Sequence, residues 1–211
     1  PDDFQSLSGQ SVLYLANHQV GVESLIFSIV ASGLLKVPAV TLAKIEHKET
    51  WLGQLITHAF QYPEIQDPRV IMFFDRDDKS SLARIIGELA VEMKSGERSV
   101  MVHIEGTRSL SCQIPVQKMS GAFIDMALKV GTPIVPVRFI GGLPTEPLEK
   151  RIEFPIGMGK QDIYFGKAIR PEELAKLHYG ARKNLVIDAI NALGPSNEQE
   201  TPLPRSEEHT S

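Results

Sequence analysis

Cysteine is almost missing from this chain of 211 residues: Cys112 is the only one. A single thiol excludes an intramolecular disulfide and any multi-cysteine metal site, and it fits a reducing compartment. Long hydrophobic runs are missing too. The longest nearly apolar stretch, "SLIFSIVASGLL" (24–35), is too short and too polar to span a bilayer, which takes about 20 apolar residues. An excess of one charge is also absent. Of the formal net charge of -4, residues 198–211 carry -3 (four acids against one base), so the body of the chain carries -1. A near-neutral body has no electrostatic footprint for nucleic acid, and none is expected as a partner. No secretory signal is visible, and the chain opens on Pro1 rather than Met. The expectation is therefore an N-terminally incomplete domain, with a membrane anchor upstream still admissible.

What is present reads as one α/β domain with a mainly parallel central sheet and helices on both faces, spanning 1–195. The length suits one such domain better than two, and no internal repeat divides it. Short β-branched runs alternate with stretches of helical period. Strands are expected at "SVLYLA" (11–16), "PAVTLA" (38–43), "RVIMFF" (69–74), "SVMVHI" (99–104) and "PIVPVRFI" (133–140). Two more, around 153–157 and 162–166, would pair near an edge, with "GMGKQD" (157–162) as the hairpin turn between them. In "KSSLARIIGELAVEMKSG", Leu82, Ile85, Ile86, Leu89, Ala90 and Met93 form one apolar stripe, and Gly96 supplies the stop. "SGAFIDMALKVG" repeats the pattern up to Gly131. The last helix starts at Pro171, a good first-turn residue, and runs with a break at Gly180 to about Leu193. Composition predicts a disordered tail over 196–211, and "RSEEHTS" (205–211) resembles a translated sequencing adapter rather than protein.

Three stretches at strand ends carry possible chemistry. In "YLANHQVGVESLIF" (14–27), His18 ends an apolar run and Glu23 follows five positions later. On one regular helix such residues point about 140° apart and cannot meet. If "HQVG" is instead a turn leaving a strand, Glu23 falls in the first helical turn, where unsatisfied amides favour an anion. Its carboxylate then reaches back to the imidazole, fixes the tautomer and leaves the other nitrogen as a base. A helix-start carboxylate beside an incidental histidine accounts for the same spacing. In "VHIEGTRSLSC" (102–112), a strand runs into Glu105, Gly106, Thr107, Arg108 and Ser109. Gly106 permits close backbone approach, Thr107 offers a hydroxyl, and the planar fork of Arg108 suits phosphate or carboxylate. In "FFDRDD" (73–78), Arg76 leaves a third strand end among acids that could simply pair with it. Parallel sheets bind ligands at such ends. "HIE" (103–105) lacks the paired cysteines a zinc deaminase needs, and Cys112 has no partner at nucleophile spacing.

Taken in order, Asn17-His18, Phe73 with Arg76, Glu105-Gly106-Thr107-Arg108-Ser109 and Ile134-Val135-Pro136-Val137 resemble the blocks of the glycerolipid acyltransferase superfamily, which includes the 1-acylglycerol-3-phosphate (lysophosphatidate) acyltransferases. "AKIEHKETWLGQL" (43–55) is similar to the segment between its first two blocks, and the resemblance covers 12–137. Two positions depart from the family: Glu23 stands where it has Asp, and His103-Ile104 where it has Phe-Pro. The variant blocks look more like acyltransferase domains embedded in multidomain synthases than like housekeeping phospholipid enzymes.

The resemblance implies the family's α/β fold and O-acyl transfer from an acyl thioester, on coenzyme A or acyl carrier protein, to a lysophosphatidate-like hydroxyl. His18 would be the general base and Glu23 its orienting acid. Arg76 and Arg108, on strands expected to be neighbours, would hold the acceptor phosphate. Gly106 and Thr107 would add contacts, and Glu105 would anchor Arg108 or the loop. The thioester is a substrate, and no cofactor or metal is implied. A cytoplasmic protein with peripheral contact at the inner face of the cell membrane follows. A synthase domain with another hydroxyl acceptor, and a non-catalytic lipid- or phosphate-binding module, are the alternatives.

Overall fold

Residues 2–59, 69–75 and 77–205 are described by the computed structural model. Five strands run parallel: β1 (Leu13–Ala16), β2 (Ala39–Lys44), β3 (Ile71–Phe74), β4 (Ser99–His103) and β5 (Ile134–Ile140). A sixth, β6 (Asp162–Phe165), lies antiparallel to β5 at one edge. The order across the sheet is β3-β2-β4-β1-β5-β6. Every residue of β1, β4 and β5 is buried. This is the signature of a parallel sheet covered on both faces, whose strands read as unbroken apolar runs.

The α-helices among the described residues are α1 (Asp2–Gln5), α2 (Glu23–Leu35), α3 (Trp51–Ala59), α4 (Lys79–Lys94), α5 (Ala122–Val130), α6 (Pro171–Ala175) and α7 (Tyr179–Asn191). The two-residue period of the strands sorts their side chains into two layers. Leu13, Leu15, Val100 and Val102 pack with α4 and α5, through Ile85, Leu89, Met93, Phe123 and Ile124. Tyr14, Ala16, Met101, Val135 and Val137 face the other way, onto Phe27, Ala31 and Leu35 of α2 (Glu23–Leu35). The expected α/β domain with helices on both faces is therefore what forms. α5 ends as expected at Gly131, whose φ of 77° is left-handed. Along α2, Ile26, Ile29, Val30 and Leu34 share a second, outward face and stand 38–57% exposed. Among the described residues, no helix is long and apolar enough to cross a membrane.

Four expectations from the sequence are corrected. Residues 153–157 form no strand, because Pro155 leads into a 3₁₀ turn (Ile156–Met158) in which Gly157 adopts φ +61°; "GMGKQD" thus enters β6 from a loop rather than joining a hairpin. The last helical region breaks at 176–178, between α6 (Pro171–Ala175) and α7 (Tyr179–Asn191), and Gly180 lies in the first turn of α7. β3 and β4 are not neighbours, since β2 lies between them. Residues 196–205 also do not behave as composition suggests. Glu200 is 1% exposed and ion-paired to Arg138, and Leu203 bridges to Lys160. Residues 206–211, most of the expected adapter-like end, lie outside the described residues.

Candidate functional site

The site lies where β1 and β4 end side by side, with Ala16 paired to His103. At this point Asn17 prolongs the ladder with its side chain. Its Nδ2–H donates to the Phe139 carbonyl at 2.9 Å, and its Oδ1 accepts from the Phe139 amide at 2.7 Å. The backbone is then free to turn away, and His18 leaves the sheet with its position set by that amide pair. Its own carbonyl accepts from the Ser109 amide at 2.8 Å, which binds the first loop to the "EGTRS" loop.

α2 begins at Glu23, and its carboxylate reaches back as the spacing suggested. Glu23 Oε2 lies 3.0 Å from His18 Nδ1 and accepts from the Gln19 amide at 2.9 Å. Oε1 accepts from Gln161 Nε2 at 2.7 Å. The Glu23 side chain has no exposure and that of His18 only 12%. Burial pushes the Glu23 carboxyl up to about 7, with the bonds from Gln161 and Gln19 offsetting part of that rise. The same burial, reinforced by Arg108, His47 and Lys44, holds the His18 imidazole well below its ordinary value. With Nδ1 turned to Glu23, Nε2 has no hydrogen-bond partner among the described residues, in a ring that lines a cavity of about 550 Å³. A neutral imidazole so held is a proton acceptor at Nε2.

A second imidazole, not anticipated as a site residue, lies flat against the first. The His18 and His103 rings are 3.6 Å apart at 12°. His103 is buried, and burial, then the neighbouring His18, lower it to about 3. A sequence signal for it existed. Position 103 follows Met101 by two on β4, so strand alternation aims it at the α2 side, toward Glu23 and Ser24.

His18, Glu23 and His103 bring three possible metal ligands within 4.8 Å of one another. Their geometry does not fit an ion. An imidazole ligates along an in-plane lone pair at about 2.0–2.1 Å, and two parallel stacked planes do not converge on one point at that distance. Both His103 nitrogens are also engaged, by Asn17 O and Ser24 Oγ.

The "EGTRS" loop lines the same cavity. Gly106 takes φ +66°, which keeps the turn tight, Thr107 is exposed, and Arg108 is buried. Of the two expected roles for Glu105, anchoring Arg108 or anchoring the loop, the first does not form, because Arg108 turns to a loop far along the chain. Its Nη1 lies 2.9 Å from Glu153 Oε1 and donates to the Ile152 carbonyl at 2.7 Å. Residues 152–153 are themselves pinned to the start of α2 through the Gly21 and Val22 amides. Glu105 stays in the cavity wall, where burial raises its carboxyl to about 7 against the pull of Lys118. Lys44, at the end of β2, adds a cation to the lining, and His47, in the 3₁₀ turn after it (Ile45–Glu49), adds an imidazole that burial, then Arg108, hold below its ordinary value. The cavity also has an apolar lining, with Leu42, Ile71, Phe74, Ile86, Met119 and Phe123. Arg76 lies outside the described residues. Cys112 is buried, and its thiol is pushed up to about 11 by burial, so it is no nucleophile.

Residues 2–140 match the family model named Acyltransferase. No curated protein matches the chain. Among solved structures, the fold is similar to that of the 1-acyl-sn-glycerophosphate (LPA) acyltransferase PlsC from Thermotoga maritima, with a TM-score of 0.51 and 20% identity over 89% of this chain and 69% of that one.

Proposed function

The chain belongs to the acyltransferase family, and from that premise we propose that it moves a fatty acyl group from a thioester to the hydroxyl of a lysophosphatidate-like acceptor, in phospholipid synthesis. The observation that carries this reading is His18, held by Glu23 at Nδ1 and open at Nε2 onto a cavity with both cations and apolar side chains in its lining.

An alcohol is a weak nucleophile at neutral pH. As its oxygen attacks the thioester carbonyl, its proton passes to His18 Nε2, and Glu23 stabilises the imidazolium that forms. The tetrahedral intermediate then expels the thiolate, so a C–O bond replaces the C–S bond, and the imidazolium returns its proton to sulfur. No acyl-enzyme is needed, consistent with the buried Cys112. The acceptor phosphate would lie against Arg108, with Lys44 and His47 beside it, and would share Arg108 with Glu153. Gly106 and Thr107 would contact the same group, and Arg76 is kept as a second phosphate ligand on the sequence resemblance alone. The acyl chain would lie along the apolar lining. The stripe Ile26, Ile29, Val30 and Leu34 supports peripheral contact with a lipid surface, since Ile26 also lines a second, mostly apolar cavity of about 270 Å³ behind Glu23.

The test is release of free thiol from acyl-coenzyme A and acyl carrier protein, with lysophosphatidate and monoacylglycerol as acceptors, by parent and His18→Ala. The expectation is a loss of roughly 10²–10⁴-fold in rate for the variant with an unchanged circular dichroism spectrum. Thiol release only with a carrier protein and an unphosphorylated acceptor would favour a synthase domain. No turnover of any thioester would favour a non-catalytic binding module.

A further inference from the structure

We propose that His103 is a positioning residue for the His18–Glu23 pair, a neutral clamp that fixes the turn between them. The inference rests on the reading of His18 as the base. His103 Nδ1 lies 2.6 Å from the carbonyl of Asn17, and a carbonyl only accepts, so Nδ1 carries the hydrogen. A neutral ring then has an unprotonated Nε2, which accepts from Ser24 Oγ–H at 3.1 Å. The tautomer is thereby assigned from both ends.

The two partners give the clamp its meaning. Asn17 immediately precedes His18, and Ser24 immediately follows Glu23. One ring thus ties the end of β1 to the first turn of α2, across the turn that sets the 3.0 Å contact of Nδ1 with Oε2. The same ring is the wall on which His18 stacks, at 3.6 Å and 12°, which restricts rotation of the base about its side-chain bonds. A neutral wall also suits the chemistry, because the imidazolium formed on His18 during turnover meets no like charge there. Glu23 carries one methylene more than Asp, so its carboxylate has more freedom, and a clamp on both flanks of the turn compensates for that freedom. A phenylalanine at 103 would keep the stack and lose both hydrogen bonds. A glutamine would keep a donor and an acceptor and lose the stack.

The experiment compares parent, His103→Phe, His103→Gln and the milder Ser24→Ala. Two readouts are used: steady-state kinetics with both substrates, and ¹⁵N-edited NMR of the imidazoles, which needs no turnover. Misplacement of a base by about 1 Å costs up to 10²-fold. We therefore expect His103→Phe to lower kcat by roughly ten- to a hundred-fold with both Michaelis constants close to those of the parent, and Ser24→Ala to lower it several-fold. In the parent spectrum, His103 is expected as the Nδ1–H tautomer with an exchange-protected proton. In His103→Phe, the signal of the proton between His18 and Glu23 is expected to broaden or vanish. Parent-like kcat together with unchanged His18 signals in His103→Phe overturns the proposal. So does an Nε2–H tautomer for His103 in the parent, whether or not any thioester turns over. If His103→Phe does not fold, His103→Gln and Ser24→Ala decide, and parent-like kcat in both overturns it. An inactive parent with the assigned tautomer overturns the acyl-transfer reading and leaves the clamp standing.

Discussion

Arg138 and Glu200, 62 residues apart in sequence, form an ion pair of 2.8 Å in which each side chain is 1% exposed. Arg138 Nη1 also donates to the carbonyls of Asn191, Leu193 and Pro195, so the guanidinium gathers the end of α7 and the chain beyond it. Glu200 in turn accepts from Gln19 Nε2 and from the Gly141 amide. The backbone amide of that same Gln19 donates to Glu23. A segment outside the matched region 2–140 is thus wired to the proposed base through two side chains.

Removing one member of a buried pair leaves an uncompensated charge, which costs about 3–5 kcal/mol. Glu200→Ala should therefore lower the unfolding free energy by about that amount in urea denaturation. The double variant Arg138→Met with Glu200→Leu should be markedly less damaged than Glu200→Ala alone, because no charge is stranded.

The raised carboxyl of Glu23 makes both activity and stability depend on pH. Below about 7 the carboxyl takes up a proton, the orienting anion is lost, and kcat/KM should fall toward acid. Glu23→Gln should lower the maximum and abolish that limb, leaving any acidic limb to His18 at lower pH, since its imidazole is shifted downward. For stability the sign is the reverse. Glu23 binds its proton more tightly folded than unfolded, because 4.5 rises to about 7. Burying the anion therefore costs nothing below 4.5 and reaches its full cost above about 7. The shift corresponds to about 3 kcal/mol lost as pH rises through that window. Denaturation midpoints of parent and Glu23→Gln at pH 5 and pH 8 measure it, and the slope should be weaker in the variant.

If Arg108 binds the acceptor phosphate, Arg108→Ala should raise the Michaelis constant for lysophosphatidate roughly ten- to a hundred-fold, from charged hydrogen bonds of about 1.5–3 kcal/mol. The donor constant and the constant for monoacylglycerol should hardly move. Equal responses for both acceptors would remove the phosphate role.

The outward face of α2 predicts lipid binding without a spanning helix. Ile29→Glu with Leu34→Glu adds two charges to a stripe that is otherwise apolar. Co-sedimentation with anionic phospholipid vesicles should drop several-fold, while turnover of a water-soluble short-chain acceptor should stay near that of the parent. Unchanged co-sedimentation would remove the lipid contact from this face.

Sequence alone carried the parallel sheet, its principal strands and the meeting of His18 with Glu23. Local periods encode strands and helices, and a turn of "HQVG" type after a strand leaves little choice about where the next carboxylate points. It also placed Glu105, Gly106, Thr107 and Arg108 at one strand end, because parallel strands deliver their following loops to one side of the sheet. Tertiary structure decided what each group touches. β2 inserts itself between β3 and β4, Arg108 finds Glu153 rather than Glu105, and His103 stacks on His18. The tail reads as disordered by composition because Glu200, with Pro, Asn and Thr around it, cannot bury itself alone. It becomes ordered because Arg138, on a strand buried on both faces, presents a charge that only a carboxylate from elsewhere can neutralise. Such pairings depend on which distant backbone arrives within about 3 Å, and no local pattern in the chain records that.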